Sequence, residues 1–162
     1  MKKQQGQTII EAVVALATLM IIITAIAVVM MNGLYNSQFI KSQNEANKYA
    51  QEAIEVVRNT QKNDLQTFKS YIDAAVLFCL NDQGAIYSSG CAPDAVNTAG
   101  VYARTIAFSP NASECLNNTT ASDLQVTVTV KWSSTKCPAN NTFCHESKLV
   151  TCMPYKYPES NP

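Results

Sequence analysis

Two groups of residues in this sequence have types and spacings that can do chemistry. The first stands at the N-terminus, MKKQQG-QTIIE, where a basic leader carrying Lys2 and Lys3 meets Gly6, and the carboxylate of Glu11 follows five residues beyond that glycine. Glu11 borders an apolar run, and an ionised carboxylate there is costly: about 2.5 to 3.5 kcal/mol for a charge at the centre of a membrane helix, less toward an end. Such a group marks a function that a partner completes. The second group is the six cysteines Cys79, Cys91, Cys115, Cys137, Cys144 and Cys152, all of them beyond Asn63. An even number of cysteines in an oxidising compartment reads as disulfides, each worth about 2 to 4 kcal/mol, mainly by restricting the unfolded chain. Six cysteines allow fifteen pairings. Cys79 with Cys91 is the preferred local pair, because an intervening hairpin would bring them together.

The same cysteines offer a sharper alternative, a metal site of Cys137, Cys144, His145 and Cys152. Their spacings of six and seven residues are not the tight pattern of structural zinc sites, and thiolates outside the cell tend to oxidise. The expectation is therefore three disulfides, no metal and no cofactor. His145 is the only histidine, and with no base partner or activated thiol in view it assembles no nucleophilic triad. The carboxylates are scattered rather than paired for acid and base work. No enzymatic activity is expected. Asn111, Asn117, Asn118 and Asn140 begin N-x-S/T triplets, which mark polar surface loops more securely than glycans.

The elements that position these groups follow from hydrophobic patterning. Ala12 to Met31, AVVALATLMIIITAIAVVMM, carries no charge, and its twenty residues at 1.5 Å each span about 30 Å, the thickness of a bilayer's hydrocarbon core. The run is apolar on every face, and Thr18 and Thr24 can satisfy their hydroxyls on the helix's own carbonyls. Lys2 and Lys3 place its N-terminus in the cytoplasm and the remainder outside. A buried core helix and a secretory signal peptide are the rivals, the latter with Ala25-Ile26-Ala27 as a small-residue cleavage site and Val28 as the mature start. Beyond Gly33, Tyr35, Phe39, Ser42, Ala46, Tyr49, Ala53 and Val56 recur at helical spacing. Lys41 with Glu45 and Lys48 with Glu52 form i, i+4 pairs. One helix is expected from about Thr8 to about Thr60.

After Asn63 the pattern becomes short and β-rich. Asp64 is placed to cap a short helix or turn running to Ile72. Ala74 to Leu80 and Ala85 to Ser88 flank Asn81-Asp82-Gln83-Gly84 as a hairpin. Val101 to Phe108 is a strand ended by Ser109-Pro110. Leu124 to Trp132 is the clearest strand, with Val126, Val128 and Val130 on one face, and His145 to Met153 supplies the last, followed by a loose tail. Twelve basic and twelve acidic side chains cancel, which gives no electrostatic reason to bind nucleic acid.

Gly6, Gln7, Thr8, Ile9, Ile10 and Glu11, followed by the apolar helix, resemble the leader of type IV prepilins and type II secretion pseudopilins, a likeness that covers roughly residues 1 to 35. It implies that a prepilin peptidase cuts between Gly6 and Gln7 and that the Gln7 nitrogen is methylated. It also implies that Glu11, the fifth mature residue, serves assembly with other pilin or pseudopilin subunits after a stay in the lipid bilayer. Gln7 stands where that family commonly has an apolar residue, and Val28 where many major pilins have proline, so a straighter helix is expected. Ala46 to Asn59 resembles the helix by which such proteins hold their heads, and DLQVTVTVKW with SKLVTC resembles the last hairpin of minor pseudopilins of the I and V types.

The expected organisation is a leader at 1–6, a transmembrane and assembly helix at 7–33, an amphipathic helix at 34–62, a disulfide-bonded β-rich head at 63–153 and a tail at 154–162. The fold class is α+β and pilin-like, with a long N-terminal helix on a small antiparallel sheet. The functional expectation is a filament subunit, anchored in the membrane with its head extracytoplasmic and at the cell surface once assembled. The alternative is an unprocessed, anchored binding or adhesion module.

Overall fold

A computed structural model describes residues 5–92, 94–110, 115 and 123–155. The lysines of the leader, the triplets at Asn111, Asn117 and Asn118, and the tail beyond Tyr155 lie outside the described residues. The chain divides into two units, Met1–Lys41 and Ser42–Pro162. Helix α1, Gln5–Asn63, supplies the N-terminal unit and continues into the second. It remains helical through Gly33, where a Cβ would meet nothing within 4 Å.

In the second unit α1 is followed by α2, Leu65–Ala74, and by five strands: β1 Phe78–Leu80, β2 Ile86–Tyr87, β3 Tyr102–Pro110, β4 Asp123–Trp132 and β5 His145–Pro154. They form one antiparallel sheet in the order β2-β1-β3-β4-β5. The class is α+β, as the patterning predicts. The valine alternation of β4 has its expected consequence, with Val126, Val128 and Val130 fully buried. The register across β3 and β4 pairs Ile106 with Val128 and Arg104 with Val130, so one face of the sheet is set by every second residue of each strand.

The stripe of α1 that meets this face is Ala46, Ala50, Ala53, Ile54 and Val57. The expected seam is rotated: Tyr49 and Val56 lie half-buried on its flank instead of at its centre. Side-chain volume explains the change. Three alanines at spacings of four and three leave room for the valines opposite, which a central Tyr49 would displace.

Helix α2 is longer than its cap suggested and takes Ala74 from the first hairpin strand, which starts only at Phe78. Phe68 and Ile72 hold it down. Phe68 packs edge-on to Phe108 at 6.1 Å and to Tyr155 at 5.9 Å, and Tyr71 meets Phe78 at 5.0 Å. Such aromatic contacts add to burial and outweigh the strand propensity of the preceding residues. β3 likewise runs through Ser109 to Pro110, which pairs with Leu124 at the end of the ladder.

At the start of α2, Asp64 accepts from the Thr67 backbone N–H at 3.0 Å and from its hydroxyl at 2.6 Å. These bonds, the hydroxyl's first, hold the Asp64 carboxyl below the ordinary carboxylate range. A depressed folded-state pKa contributes stability that is present above the unfolded pKa and lost as pH falls through the folded one. Asp64→Asn keeps the cap without the titration. Urea midpoints of the two proteins are therefore expected to differ by a constant amount above about pH 5 and to converge or cross as pH drops below about 4, followed by circular dichroism.

Candidate functional site

In the N-terminal unit, Gly6 and Gln7 fall on the helical backbone of α1, within its first turn. Glu11 lies one turn further on and is exposed. No described residue pairs with its carboxylate. Ile9 and Ile10 precede it at 67% and 68% exposure, and from Ala12 to Ile40 there is no charged residue. The most apolar 18-residue window has mean hydropathy 2.9 and none of it is buried within the chain. The helix is therefore long and apolar enough to cross a membrane.

The two threonines of the Ala12 to Met31 run are satisfied without outside help. Thr18 donates to the Ala15 carbonyl at 2.9 Å, and Thr24 lies 3.0 Å from the Met20 carbonyl and 2.9 Å from that of Ile21. From Ala12 to Met31 the segment thus presents hydrocarbon and intrahelical hydrogen bonds, as a bilayer or a bundle of like helices requires.

In the second unit the polar residue that matters most is one the sequence patterning passed over. Arg104 sits on the inner face of β3 between Tyr102 and Ile106, with its side chain 1% exposed. One terminal nitrogen donates to the Tyr49 carbonyl of α1 at 3.2 Å, and the other to the Asn81 carbonyl of the β1–β2 loop at 2.9 Å. A Glu52 oxygen is 3.8 Å away, and the guanidinium carbon lies 5.6 Å from the Tyr49 ring centre. Burial lowers the guanidinium's pKa, with the charge of Glu52 the largest opposing influence. The planar fork can reach helix and loop together, which a lysine cannot. Strict alternation was the available signal: Tyr102, Arg104, Ile106 and Phe108 share one face.

Neighbouring side chains extend the clamp. Asn97 accepts from the Arg104 backbone N–H at 2.8 Å and donates to its carbonyl at 3.0 Å, standing in for a strand partner. Asp82 accepts from the Ala99 N–H through both oxygens, at 2.9 and 3.0 Å. Tyr102 donates to Glu45 on α1 at 2.7 Å. Glu45 and Glu52, expected to pair outward with Lys41 and Lys48, thus also serve residues of β3.

The cysteines form three disulfides, Cys79–Cys91, Cys115–Cys152 and Cys137–Cys144. The preferred local pair is present, with the β1–β2 hairpin between its members. The four residues proposed as metal ligands are divided: Cys152 is bonded to Cys115, while Cys137, Cys144 and His145 remain clustered. His145 opens β5 opposite Trp132, stacks on its ring at 5.6 Å, and meets the Ser134 hydroxyl at 2.9 Å. Asn140 is exposed within the loop that the third disulfide closes.

Two outcomes test the clamp. Arg104→Met removes two charge-assisted hydrogen bonds and orphans their acceptors, so it is expected to cost about 3 kcal/mol or more, whereas Glu52→Gln, at a half-exposed site, costs under about 1 kcal/mol, both from urea unfolding. Burial, then the bond to Glu45, pushes the Tyr102 phenol up to about 12. Its contribution is whole below the unfolded-state pKa of about 10 and is lost as pH climbs from there through the folded value. Tyr102→Phe is expected to flatten that alkaline decline in thermal midpoint. No family model, no characterised protein and no solved structure matches this chain.

Proposed function

We propose that this chain is a structural subunit of a type IV pilus-like or type II secretion filament, a pilin, minor pilin or pseudopilin. On this reading it is inserted in the membrane as a precursor and cut by a prepilin peptidase between Gly6 and Gln7. The observation that carries the reading is the N-terminal unit: an unburied helix with no charged residue from 12 to 40 and apolar all round from Ala12 to Met31, preceded by a single exposed carboxylate at Glu11. A lone anchor needs the apolar length. It does not need an acid at its margin.

Cleavage would give Glu11 its partner. The freed Gln7 amine, with an ordinary pKa of about 7.7 to 8.0, is largely cationic at neutral pH, and methylation leaves it basic. In a bundle of these helices, Glu11 of one subunit and the amine of the next attract strongly in low dielectric, while either alone is penalised. The pair therefore selects register more than it adds stability. The second unit supports the reading by its construction. Its core is completed by α1 from Ala46 to Val57 and tied by three disulfides, so the helix upstream is left to partners.

Sequencing the N-terminus of the mature protein tests the processing, with Gln7 expected first. Glu11→Ala is expected to insert and oxidise normally yet to fall at least tenfold in the sheared filament fraction. Retention of Met1 in cells with an active prepilin peptidase would overturn the proposal in favour of an anchored adhesion module, and a start at Val28 would indicate ordinary secretion. Wild-type incorporation of Glu11→Ala would remove the pairing role.

A further inference from the structure

The cluster at the start of β5 has chemistry that the filament role does not use. Cys137, Cys144 and His145 each offer one ligand atom, and the three atoms lie within 4.8 Å of one another. All three residues are half-buried. The imidazole is oriented from two sides, by the Trp132 ring and by the Ser134 hydroxyl. Ser134 also reaches Cys137, its backbone N–H lying 3.3 Å and its hydroxyl 3.8 Å from the sulfur. The site is thus built on a strand end and one turn, with the Ser134 N–H and hydroxyl placed beside the Cys137 sulfur, which is disulfide-bonded in this structure.

We infer that Cys137, Cys144 and His145 form a redox-gated zinc site, closed while Cys137–Cys144 is a disulfide and opened when a dithiol reduces it. In the opening step the dithiol transfers two electrons and two protons to the disulfide, its own sulfurs pair, and Cys137 and Cys144 become thiols. Zinc then binds both sulfurs and one histidine nitrogen, and the two thiol protons leave to solvent. Two thiolates, one imidazole and a fourth position open to water match a common zinc ligand set.

The geometry requires small movements. With zinc–sulfur bonds of about 2.3 Å and a zinc–nitrogen bond of about 2.0 to 2.1 Å, tetrahedral ligands sit about 3.5 to 3.8 Å apart. The sulfurs therefore separate from bonding distance by roughly 1.7 Å and the nitrogen draws in by up to roughly 1 Å. The loop between the two cysteines can absorb this, since it is exposed from Pro138 to Thr142. The sheet need not change: the bridge closes the shortest of the three loops, with a sequence separation of 7 against 12 and 37, and so restrains the unfolded chain least.

The test uses the full-length chain in detergent micelles, reduced without oxygen by a dithiol, freed of the reductant by gel filtration, and then titrated with cobalt(II) as a spectroscopic stand-in for zinc. Alkylation and mass spectrometry identify which thiols are free. The expected result is one cobalt per chain, visible bands of a tetrahedral site, a near-ultraviolet thiolate charge-transfer band, and displacement of both by zinc. Oxidised protein shows neither band. The Cys137→Ser/Cys144→Ser double variant, which keeps the other four cysteines, is expected to lose the bands, and His145→Ala to bind at least tenfold more weakly. The proposal is overturned if reduced wild type gives no bands, or if Cys137–Cys144 stays bonded while the other bridges open. It is equally overturned by bands that persist in the double variant or by unchanged affinity in His145→Ala. Circular dichroism of each variant separates loss of ligand from loss of fold.

Discussion

An ionised side chain in apolar surroundings has to be matched, and this chain meets that requirement in two opposite ways. Arg104 is matched within its own unit, by two carbonyls, a nearby carboxylate and the face of Tyr49. Glu11 is exposed on an apolar helix with no described partner. The first arrangement satisfies both terminal nitrogens inside the unit, with only the buried Nε left without a hydrogen bond. The second leaves the helix incomplete, because burying its apolar surface would also bury an acid that nothing in the described chain neutralises. Any partner helix must therefore bring a donor or a positive charge, whereas a purely hydrocarbon neighbour is penalised.

The second unit can be small because other ties supplement its core. Its large buried side chains come from α2 and the sheet, whereas much of the α1 seam is alanine. Burial at roughly 25 cal/mol per Å² favours large side chains over small ones, so the alanine seam brings little on its own. Covalent and polar ties make up the difference at separate places. Cys79–Cys91 holds the first hairpin, Cys115–Cys152 ties the far end of β5, Arg104 and Asn97 bind the loops to β3, and Lys131 meets Asp94 at 2.8 Å. None of these depends on residues upstream of Ser42.

Much of this was legible from the residues. The charge-free run, the alternating valines of β4 and the Asp64 cap each depend on neighbours within a few positions, and local patterns of that kind survive folding. The pair Cys79–Cys91 was legible for the same reason, since a hairpin joins its members. Cys115–Cys152 was not: it depends on where β5 lies beside β4, with Gln125 opposite Cys152, and register is a property of two strands together. The α1 seam was misplaced by one helical position because periodicity identifies a face only to within its width, and the choice between Tyr49 and Ala50 was made by the valines opposite. Arg104 was missed because its charge suggested solvent. Its position in the alternation pointed to the inner face, and the carbonyls that make burial tolerable come from Tyr49 and Asn81, fifty-five and twenty-three residues away.

The asymmetry between the two charges bears on the order of events in the proposed filament. Before cleavage the Gln7 nitrogen is an amide, which carries no charge and is bonded to Gly6. On the proposed reading Glu11 then meets no charge at Gln7 of another copy, the cations of the uncut leader lying on the far side of Gly6, and its best place is the polar margin of the bilayer, where the cost of its charge is smallest. Removal of the leader creates the cation and deletes two lysines at once. Those lysines favour the cytoplasmic side of the membrane and would resist withdrawal into an apolar bundle, so a single hydrolysis both removes an obstacle and supplies the missing partner. In the filament we propose, a subunit that escapes cutting is disfavoured on two electrostatic grounds, and both distinguish cut from uncut chains, whereas the apolar surface of the helix is the same in both.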